Sequence, residues 1–390
     1  MFDRSRERAE LLHHLRLGRS ILMLAPRRVG KTWLINRVAE DVRGRGWTAV
    51  LCDVEGMSRE TEFLFEICRR IEEQEGLAEK TEGRARQLLN QLFSKDLANG
   101  WQEALGRMDW VSFAETLVRG LHERGRDTLI LIDELALFLA ARLRDDPEGA
   151  RAFLYGLRRL QQRYSRVRWL FTGSIGLDTI AKRGEIGGAL VDLTLYPLEP
   201  FEPDEASAFL DFLSSGGAVL HPFALERTAF THFARELGWL SPYYLDLVAR
   251  EIRPSGPSGP CGRPLATPAD VDAAFEAMLA AGRRPYFVTW EEHLSKNFPR
   301  PETDALRSIL AACAREPAGE RLGTLRARLA GPPHGLDMRA LRDLLTILTN
   351  DGYLAEVPDG EEPRFRFRSG LLRRYWLRYH IDGGHMDGVR

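Results

Sequence analysis

One segment near the start of the chain carries the residue types that bind a phosphate group. It has the sequence A-P-R-R-V-G-K-T over residues 25–32, follows the apolar run "ILML" and precedes a helical pattern. Gly30 lets the backbone turn so that successive N–H groups converge on an anion. Lys31 carries an ammonium group to the outer phosphates, and Thr32 supplies a hydroxyl ligand for Mg²⁺. The segment therefore predicts a phosphate-binding loop at the start of a helix.

The first position of this loop departs from the usual pattern Gly-x4-Gly-Lys-Ser/Thr, because Ala25 stands where glycine is typical. A methyl group fits there as long as the φ angle stays negative. We therefore expect alanine to be tolerated. The predicted nucleotide-binding residues of the loop are Ala25, Pro26, Arg27, Arg28, Val29, Gly30, Lys31 and Thr32.

Two acidic residues later in the chain could complete such a site. The apolar run in "TLILIDELALFL" ends in Asp133 and Glu134. At the carboxyl end of a buried parallel strand, a carboxylate lies at the edge of the sheet where ligands bind. We expect Asp133 to hold Mg²⁺ through water and Glu134 to polarise the attacking water. The alternative is that both acids only cap the following helix.

A third apolar strand, in "RVRWLFTGSIG", ends in the polar tip Thr172-Gly173-Ser174. In P-loop ATPases whose sheet has a strand inserted between the loop strand and the acidic strand, this tip reaches the outer phosphate or the water. Ser174 or Thr172 is therefore the predicted sensor residue. A plain turn remains the alternative.

These residues require a sheet that brings their strands side by side. Two further strands are predicted within 47–56 and 191–201, so that five parallel strands alternate with helices in an α/β fold. Residues 57–110 form a long helical stretch with charged surfaces, and the sequence assigns it no role.

The motifs together resemble those of the AAA+-like STAND ATPases, and in particular the archaeal-type ATPase group with a C-terminal winged helix. The similar segments are the N-terminal box in "FDRSRERAELLHHL", the loop "PRRVGKT", the acidic strand "LILIDE" and the sensor strand "FTGS". The segments "LYPLEPFEPDEASAFL" and "LGWLSPYYLDLVAREI" resemble the group's path into its helical lid. The resemblance extends closely from residue 1 to about residue 300 and loosely beyond.

The resemblance implies a slow, Mg²⁺-dependent ATPase that binds ATP or ADP between core and lid and switches conformation. It implies that Pro242 and Tyr243, in the lid motif, lie against the adenine. It also implies an arginine acting in trans on an assembled neighbour, for which Arg183 is one candidate, with a solvated surface arginine as the alternative that the sequence favours. Arg27 and Arg28 are expected at the edge of the phosphates or in a subunit contact.

The resemblance and the helical patterns divide the chain into three predicted domains. Residues 1–203 form the core, residues 204–295 the helical lid and residues 296–382 a winged helix, followed by a tail over 383–390. Three helices and a hairpin, "LAEV-PDGEEP-RFRFR", give the winged-helix order.

Arginines are dense in this last domain. In "RFRFR", alternation places arginines on one strand face and aromatic residues on the other. The candidate nucleic-acid contacts are Arg339, Arg342, Arg364, Arg366, Arg368, Arg373 and Arg374. Two interpretations remain open: the arginines bind the backbone of double-stranded DNA, or they form a solvated or protein-docking surface.

Composition limits the class of protein. The chain has 390 residues, 44% of them hydrophobic and 28% charged, with a formal net charge of -1, so global charge predicts no polyanionic partner. The four cysteines lie far apart and indicate reduced thiols. No segment has the character of a signal peptide or membrane span, and a cytoplasmic location is expected.

The sequence as a whole predicts an ATP-dependent switch that controls a winged helix binding DNA, a protein partner or another copy. A non-hydrolysing scaffold locked by ADP is the main alternative. A small-molecule P-loop kinase is a second one, disfavoured because the sequence reveals no acceptor pocket.

Overall fold

The computed structural model describes residues 4–76, 101–173, 180–181, 184–259 and 262–382. The chain divides into two compact units. Of the described residues, 4–25 and 31–198 form the core unit, and 26–30 and 199–382 form the C-terminal unit. The middle of the predicted phosphate-binding loop thus belongs to the C-terminal unit, while its two ends belong to the core unit.

The core unit is built on one five-stranded sheet. Its strands are β1 (Ile21–Leu24), β2 (Thr48–Asp53), β3 (Thr128–Asp133), β4 (Val167–Gly173) and β5 (Thr194–Pro197). The helices are α1 (Ser5–Arg16), α2 (Lys31–Arg43), α3 (Glu60–Gly76), α4 (Trp101–Arg107), α5 (Trp110–Glu123), α6 (Leu135–Asp145) and α7 (Pro147–Arg163). Of the predicted helical stretch 57–110, residues 77–100 lie outside the described residues.

The strand order is β2-β3-β4-β1-β5, and all neighbouring pairs are parallel. The prediction of five parallel strands is confirmed, and β4 lies between the loop strand β1 and the acidic strand β3, as expected. Every residue of β3 is buried, which explains its nearly unbroken apolar sequence. Because parallel strands end at the same edge, the carboxyl ends of β1, β3 and β4 meet there.

The C-terminal unit begins with a group of helices. They are α8 (Pro203–Ser215), α9 (Arg227–Leu237), α10 (Pro242–Glu251), α11 (Pro268–Met278) and α12 (Pro285–Asn297). Two short strands, β6 (Ala224–Leu225) and β7 (Leu265–Ala266), pair in parallel beside them. The helix starts have clear local causes: Thr267 and Asp270 form a capping box at α11, and Glu202 and Glu205 form one at α8.

The unit ends in helices and a small sheet whose order along the chain matches the order expected for a winged helix. They are α13 (Arg300–Arg315), β8 (Glu320–Arg321), α14 (Leu322–Leu329), α15 (Met338–Asn350), β9 (Leu354–Val357), β10 (Arg364–Phe367) and α16 (Gly370–Trp376). The sheet order is β8-β10-β9. A π-helical segment, Leu377–Asp382, follows α16.

Two details of this region differ from the sequence prediction. The strand β8 was not predicted, because two residues are too short to show a periodic pattern. The helical pattern in "MRALRDLLTILTNDGYL" predicts a helix that continues to Leu354, whereas α15 ends at Asn350, since Gly352 has a φ of 89° and Leu354 already begins a strand. The expected alternation in β10 is confirmed, with Phe365 and Phe367 buried and Arg366 exposed.

Among the helices that the structure describes, none is both long enough and apolar enough to cross a membrane.

Candidate functional site

The predicted phosphate-binding loop connects β1 to α2 and contains two residues with left-handed backbone. Gly30 has a φ of 92°, which glycine adopts at no steric cost. Arg28 has a φ of 71°, a conformation that costs a non-glycine residue roughly 1–2 kcal/mol. Ala25 is buried and is not among the described residues with positive φ, so its methyl group is accommodated as expected.

Lys31 is the first residue of α2 and lies at one end of the loop in the core unit. Its side chain is buried, and Nζ donates a hydrogen bond to the carbonyl oxygen of Ala25 at 3.1 Å. The ammonium group therefore spans the two ends of the loop. A buried ammonium group in this position can neutralise part of the charge of a phosphate. The N-terminus of α2 adds partial positive charge at the same place.

Asp133 is the centre of a polar cluster at the carboxyl edge of the core sheet. Its Oδ2 accepts a hydrogen bond from the Thr32 hydroxyl at 2.9 Å. Its Oδ1 accepts hydrogen bonds from the hydroxyl of Thr172 and, at 3.1 Å, from the backbone N–H of Glu134. The structure thus brings together residues from α2, β3 and β4, as the motifs predicted.

This donor set suits magnesium. Mg²⁺ prefers hard oxygen ligands and is usually held by one or two protein groups together with phosphates and water. Thr32 and Asp133 offer a hydroxyl and a carboxylate whose oxygens already lie within hydrogen-bond distance of each other. Among the described residues, no group of three or more His, Cys, Asp or Glu side chains could hold a metal.

Glu134, the predicted catalytic acid, has a strained backbone. Its φ and ψ are 59° and 33°, and it stands at the N-cap position of α6, where its side chain makes no capping hydrogen bond. Left-handed non-glycine residues persist only where the surroundings hold them, and they cluster at functional sites. The geometry therefore differs from the alternative in which Glu134 is a simple helix cap.

Two predicted site residues, Ser174 and Arg183, lie outside the described residues. Thr172, the other sensor candidate, is fully buried and contacts Asp133. Its hydroxyl is thus directed at the proposed metal ligand, a role that its position on the apolar strand alone did not specify.

The middle of the loop has its own contacts within the C-terminal unit. The Arg28 guanidinium lies over the ring of Tyr243, with 4.0 Å from Cζ to the ring centroid, and donates a hydrogen bond to Thr289 Oγ1 at 2.5 Å. The Ser241 hydroxyl donates to the Arg28 carbonyl. These contacts were not predicted, because no sequence signal connected Arg28 to Thr289.

Pro242 and Tyr243, the predicted adenine contacts, are also neighbours of the loop. A Cβ placed on Gly30 would lie 4.0 Å from Pro242 Cγ. Burial raises the pKa of the Tyr243 hydroxyl, and the nearby Arg28 charge partly opposes that effect. Both residues stay predicted adenine contacts.

The arginines of the winged helix fall into two groups. Arg339, Arg342 and Arg366 are exposed, whereas Arg364, Arg368, Arg373 and Arg374 are partly buried and directed at the unit's own oxygens. Burial lowers the pKa of Arg368 and Arg373, whose guanidinium groups donate to backbone carbonyls. A DNA contact by the second group would have to replace these bonds.

A cavity of about 470 Å³ lies in the core unit beside the polar cluster. Thr32 and Asp133 form part of its wall, together with Asp53 and Arg43. The motifs in the sequence gave no sign of such a space, because the residues that line it come from α2, α3, β2 and β3.

No family model matches the chain, and no curated protein matches it. Among solved structures, the chain is similar to the Walker-type ATPase PABY2304 of Pyrococcus abyssi, with a TM-score of 0.64 and 18% identity, covering 97% of this chain and 96% of that one. It is also similar to the ORC2 protein of Aeropyrum pernix in ADPNP–ADP complexes, with a TM-score of 0.56 and 16% identity, covering 98% and 95%. At these identities the likeness shows the fold alone, which the chain shares with these two structures over nearly its whole length.

Proposed function

We propose that this protein binds ATP with Mg²⁺ and hydrolyses it, and that its nucleotide state controls what the winged helix binds. The main support is Asp133, whose two carboxylate oxygens accept hydrogen bonds from Thr32 and Thr172. This arrangement combines a phosphate-loop hydroxyl with the acidic strand at the edge of the sheet. The names of the similar structures, an ATPase and a protein complexed with ADPNP and ADP, agree with it.

The chain's own residues divide the work. The backbone N–H groups of the loop and the Lys31 ammonium bind the phosphates, and Thr32 and Asp133 hold the metal. Bound Mg²⁺ neutralises phosphate charge. Glu134 orients a water molecule and accepts its proton. Its left-handed backbone sets the direction of the carboxylate for this role. Ser174 and Arg183 stay predicted as sensor and trans-acting arginine.

Replacement of Glu134 by glutamine tests the hydrolytic part. Glutamine keeps the size of the side chain and removes the base, so Glu134→Gln should bind Mg-ATP as the wild type does and lose about 10²–10⁴-fold in turnover. Calorimetry measures the binding and phosphate release measures the turnover. Unchanged turnover would remove Glu134 from the mechanism and favour the non-hydrolysing scaffold.

The cavity beside Thr32 and Asp133 favours a second candidate, a P-loop kinase for a small molecule. Its volume of about 470 Å³ is within the range of small-molecule sites. The two candidates differ in the acceptor of the phosphoryl group. Release of inorganic phosphate in buffer without any added acceptor supports the ATPase, and ATP turnover that begins only when small alcohols or nucleosides are added supports the kinase.

For the winged helix we propose duplex DNA as the partner, bound through its exposed arginines Arg339, Arg342 and Arg366. Binding through phosphates should weaken as salt rises. Anisotropy with labelled duplex at two salt concentrations, for the wild type and Arg339→Ala/Arg342→Ala, measures it. The variant should lower the salt slope by about 2. An affinity independent of salt, or of the variant, would favour a protein partner or self-assembly instead.

The division into a core over 1–203, a lid over 204–295 and a winged helix over 296–382 is part of this proposal. Under it, the lid links the nucleotide site to the winged helix. Limited proteolysis that releases fragments ending near these boundaries would support the division.

A further inference from the structure

Arg28 makes contacts that the proposed function does not use. Three groups of the C-terminal unit hold it: the Tyr243 ring, the Thr289 hydroxyl and the Ser241 hydroxyl. The first two bind its guanidinium, and the third binds its carbonyl oxygen. Arg28 thus connects the phosphate-binding loop to the start of α10 and to the first half of α12.

The serine contact is informative because Ser241 is the N-cap residue of α10. An N-cap serine ordinarily accepts a hydrogen bond from its own helix, worth about 1 kcal/mol. Here Ser241 makes no such capping bond, and its fully buried hydroxyl donates to the loop. The start of α10 is therefore arranged to hold the loop backbone.

The backbone of Arg28 supports the same conclusion. A φ of 71° is unfavourable for arginine, and glycine would be the ordinary residue for it. A residue stays in such a conformation when its surroundings over-determine it. The guanidinium contacts on one side and the carbonyl contact on the other provide that constraint.

The loop also meets the helix–wing junction of the same unit. Gly352 lies between α15 and β9 with a φ of 89°, and a Cβ placed on it would lie 2.8 Å from Pro26 Cβ. The segment just before Arg28 is therefore closely packed against C-terminal elements, and a change in its backbone must be accommodated there.

We propose that Arg28 is a positioning residue that fastens the phosphate-binding loop to α10 and α12, so that these helices respond when the loop binds a nucleotide phosphate. The proposal rests on the proposed function, because it requires that the loop bind ATP. The residue acts through Tyr243, Thr289 and Ser241 and not through contact with the phosphate.

Arg28→Gly separates the positioning of α10 and α12 by the side chain from the binding of phosphate by the loop backbone. Glycine keeps the left-handed backbone and its N–H group, and removes only the guanidinium contacts. Hydrogen exchange of α10 and α12, measured with and without a non-hydrolysable ATP analogue, reports the response, and calorimetry reports the affinity. The wild type should show slower exchange in both helices when the analogue binds. At a concentration of analogue that calorimetry shows to saturate the variant, Arg28→Gly should show no change in exchange there.

Matched variants of the partners test the same contacts. Thr289→Val and Tyr243→Ala should reduce the response of the helices, and Thr289→Ser and Tyr243→Phe should keep it. The double variant Arg28→Gly/Thr289→Val should behave as Arg28→Gly alone, since Arg28→Gly already removes the hydrogen bond that Thr289→Val would remove. Thermal unfolding of each variant without nucleotide checks that the fold is kept.

The outcomes distinguish this inference from the proposed function. If Arg28→Gly binds the analogue and its helices respond as in the wild type, the inference is overturned and the proposed function stands. If the wild type does not bind the analogue at all, both are overturned. Binding with loss of the response in Arg28→Gly, together with a reduced response in Thr289→Val and a kept response in Thr289→Ser, supports the inference.

Discussion

The hydroxyl of Thr32 donates a hydrogen bond to Asp133 Oδ2 at 2.9 Å, although 101 positions separate the two residues in the chain. Thr32 belongs to the first turn of α2 and Asp133 ends β3. The bond therefore joins the phosphate-binding loop to the acidic strand. Because β4 lies between β1 and β3, Thr172 reaches the same carboxylate from the neighbouring strand.

The contact between Thr172 and Asp133 should contribute to stability as well as to the site. Both residues are buried, and Thr172→Val keeps the side-chain shape while it removes the hydroxyl donor. Loss of a donor to a buried carboxylate should lower the free energy of unfolding by about 1–3 kcal/mol. Denaturant unfolding measures it, with Thr172→Ser as the control that keeps the hydroxyl. Equal stability of the valine variant and the wild type would contradict the assignment.

The sequence could predict this cluster because each partner ends an apolar run, and parallel strands bring such ends to one edge. It could not predict the contacts of Arg28. That residue and Thr289 are 261 positions apart, and their meeting depends on a left-handed backbone that an arginine rarely adopts. The pattern around Arg28 therefore indicated only a charge at the edge of the phosphates or in a subunit contact.

The wing shows a similar limit at shorter range. The alternation in "RFRFR" predicted which side chains of β10 are buried. It could not show that Arg364 and Arg368 are directed at oxygens of their own unit, because Asp359 and the carbonyl of Leu354 reach them only after the hairpin has folded.

The strained backbone of Glu134 predicts an unusual order of stability. Both Glu134→Gly and Glu134→Ala remove the carboxylate, but only glycine adopts a φ of 59° without cost. The glycine variant should therefore be more stable than the alanine variant by about 1–2 kcal/mol.

Glu226 provides a matched control for this comparison. It is also a glutamate at an N-cap position without a side-chain capping bond, but its φ is -71°. The difference in the free energy of unfolding between the glycine and alanine variants at position 226 should be smaller, since only the N-cap preference contributes to it. Denaturant unfolding of the four variants measures these differences. Equal stability of the alanine and glycine variants at position 134 would show that the backbone there is not strained.

Buried thiols should make the protein sensitive to alkaline pH. Burial raises the pKa of the Cys313 thiol to about 12, from an ordinary value of 9.0. A raised pKa means that the folded state holds the proton more tightly. The contribution of this thiol to the free energy of unfolding is therefore complete below pH 9 and is lost as pH rises toward 12. The loss should reach about 1.4 kcal/mol per pH unit above pH 9.

Cys313→Ala should flatten this dependence. The variant has no thiol to ionise at that position, and unfolding free energies at several pH values between 8 and 10.5 measure the slope. Cys52 and Cys68 also have pKa values raised by burial and remain in both proteins, so the comparison isolates one group. Identical slopes for the variant and the wild type would show that Cys313 does not contribute.

We propose above all that the loop between β1 and α2 binds the phosphates of ATP, with Lys31 as the main charge. Calorimetric titration of Mg-ATP into Lys31→Ala tests it most directly, with Lys296→Ala as a control, because Lys296 is exposed and pairs with Glu292 on α12. The account predicts an affinity at least about tenfold weaker for Lys31→Ala, which corresponds to about 1.4 kcal/mol, and an unchanged affinity for the control. Full affinity for Mg-ATP in a folded Lys31→Ala protein would contradict it.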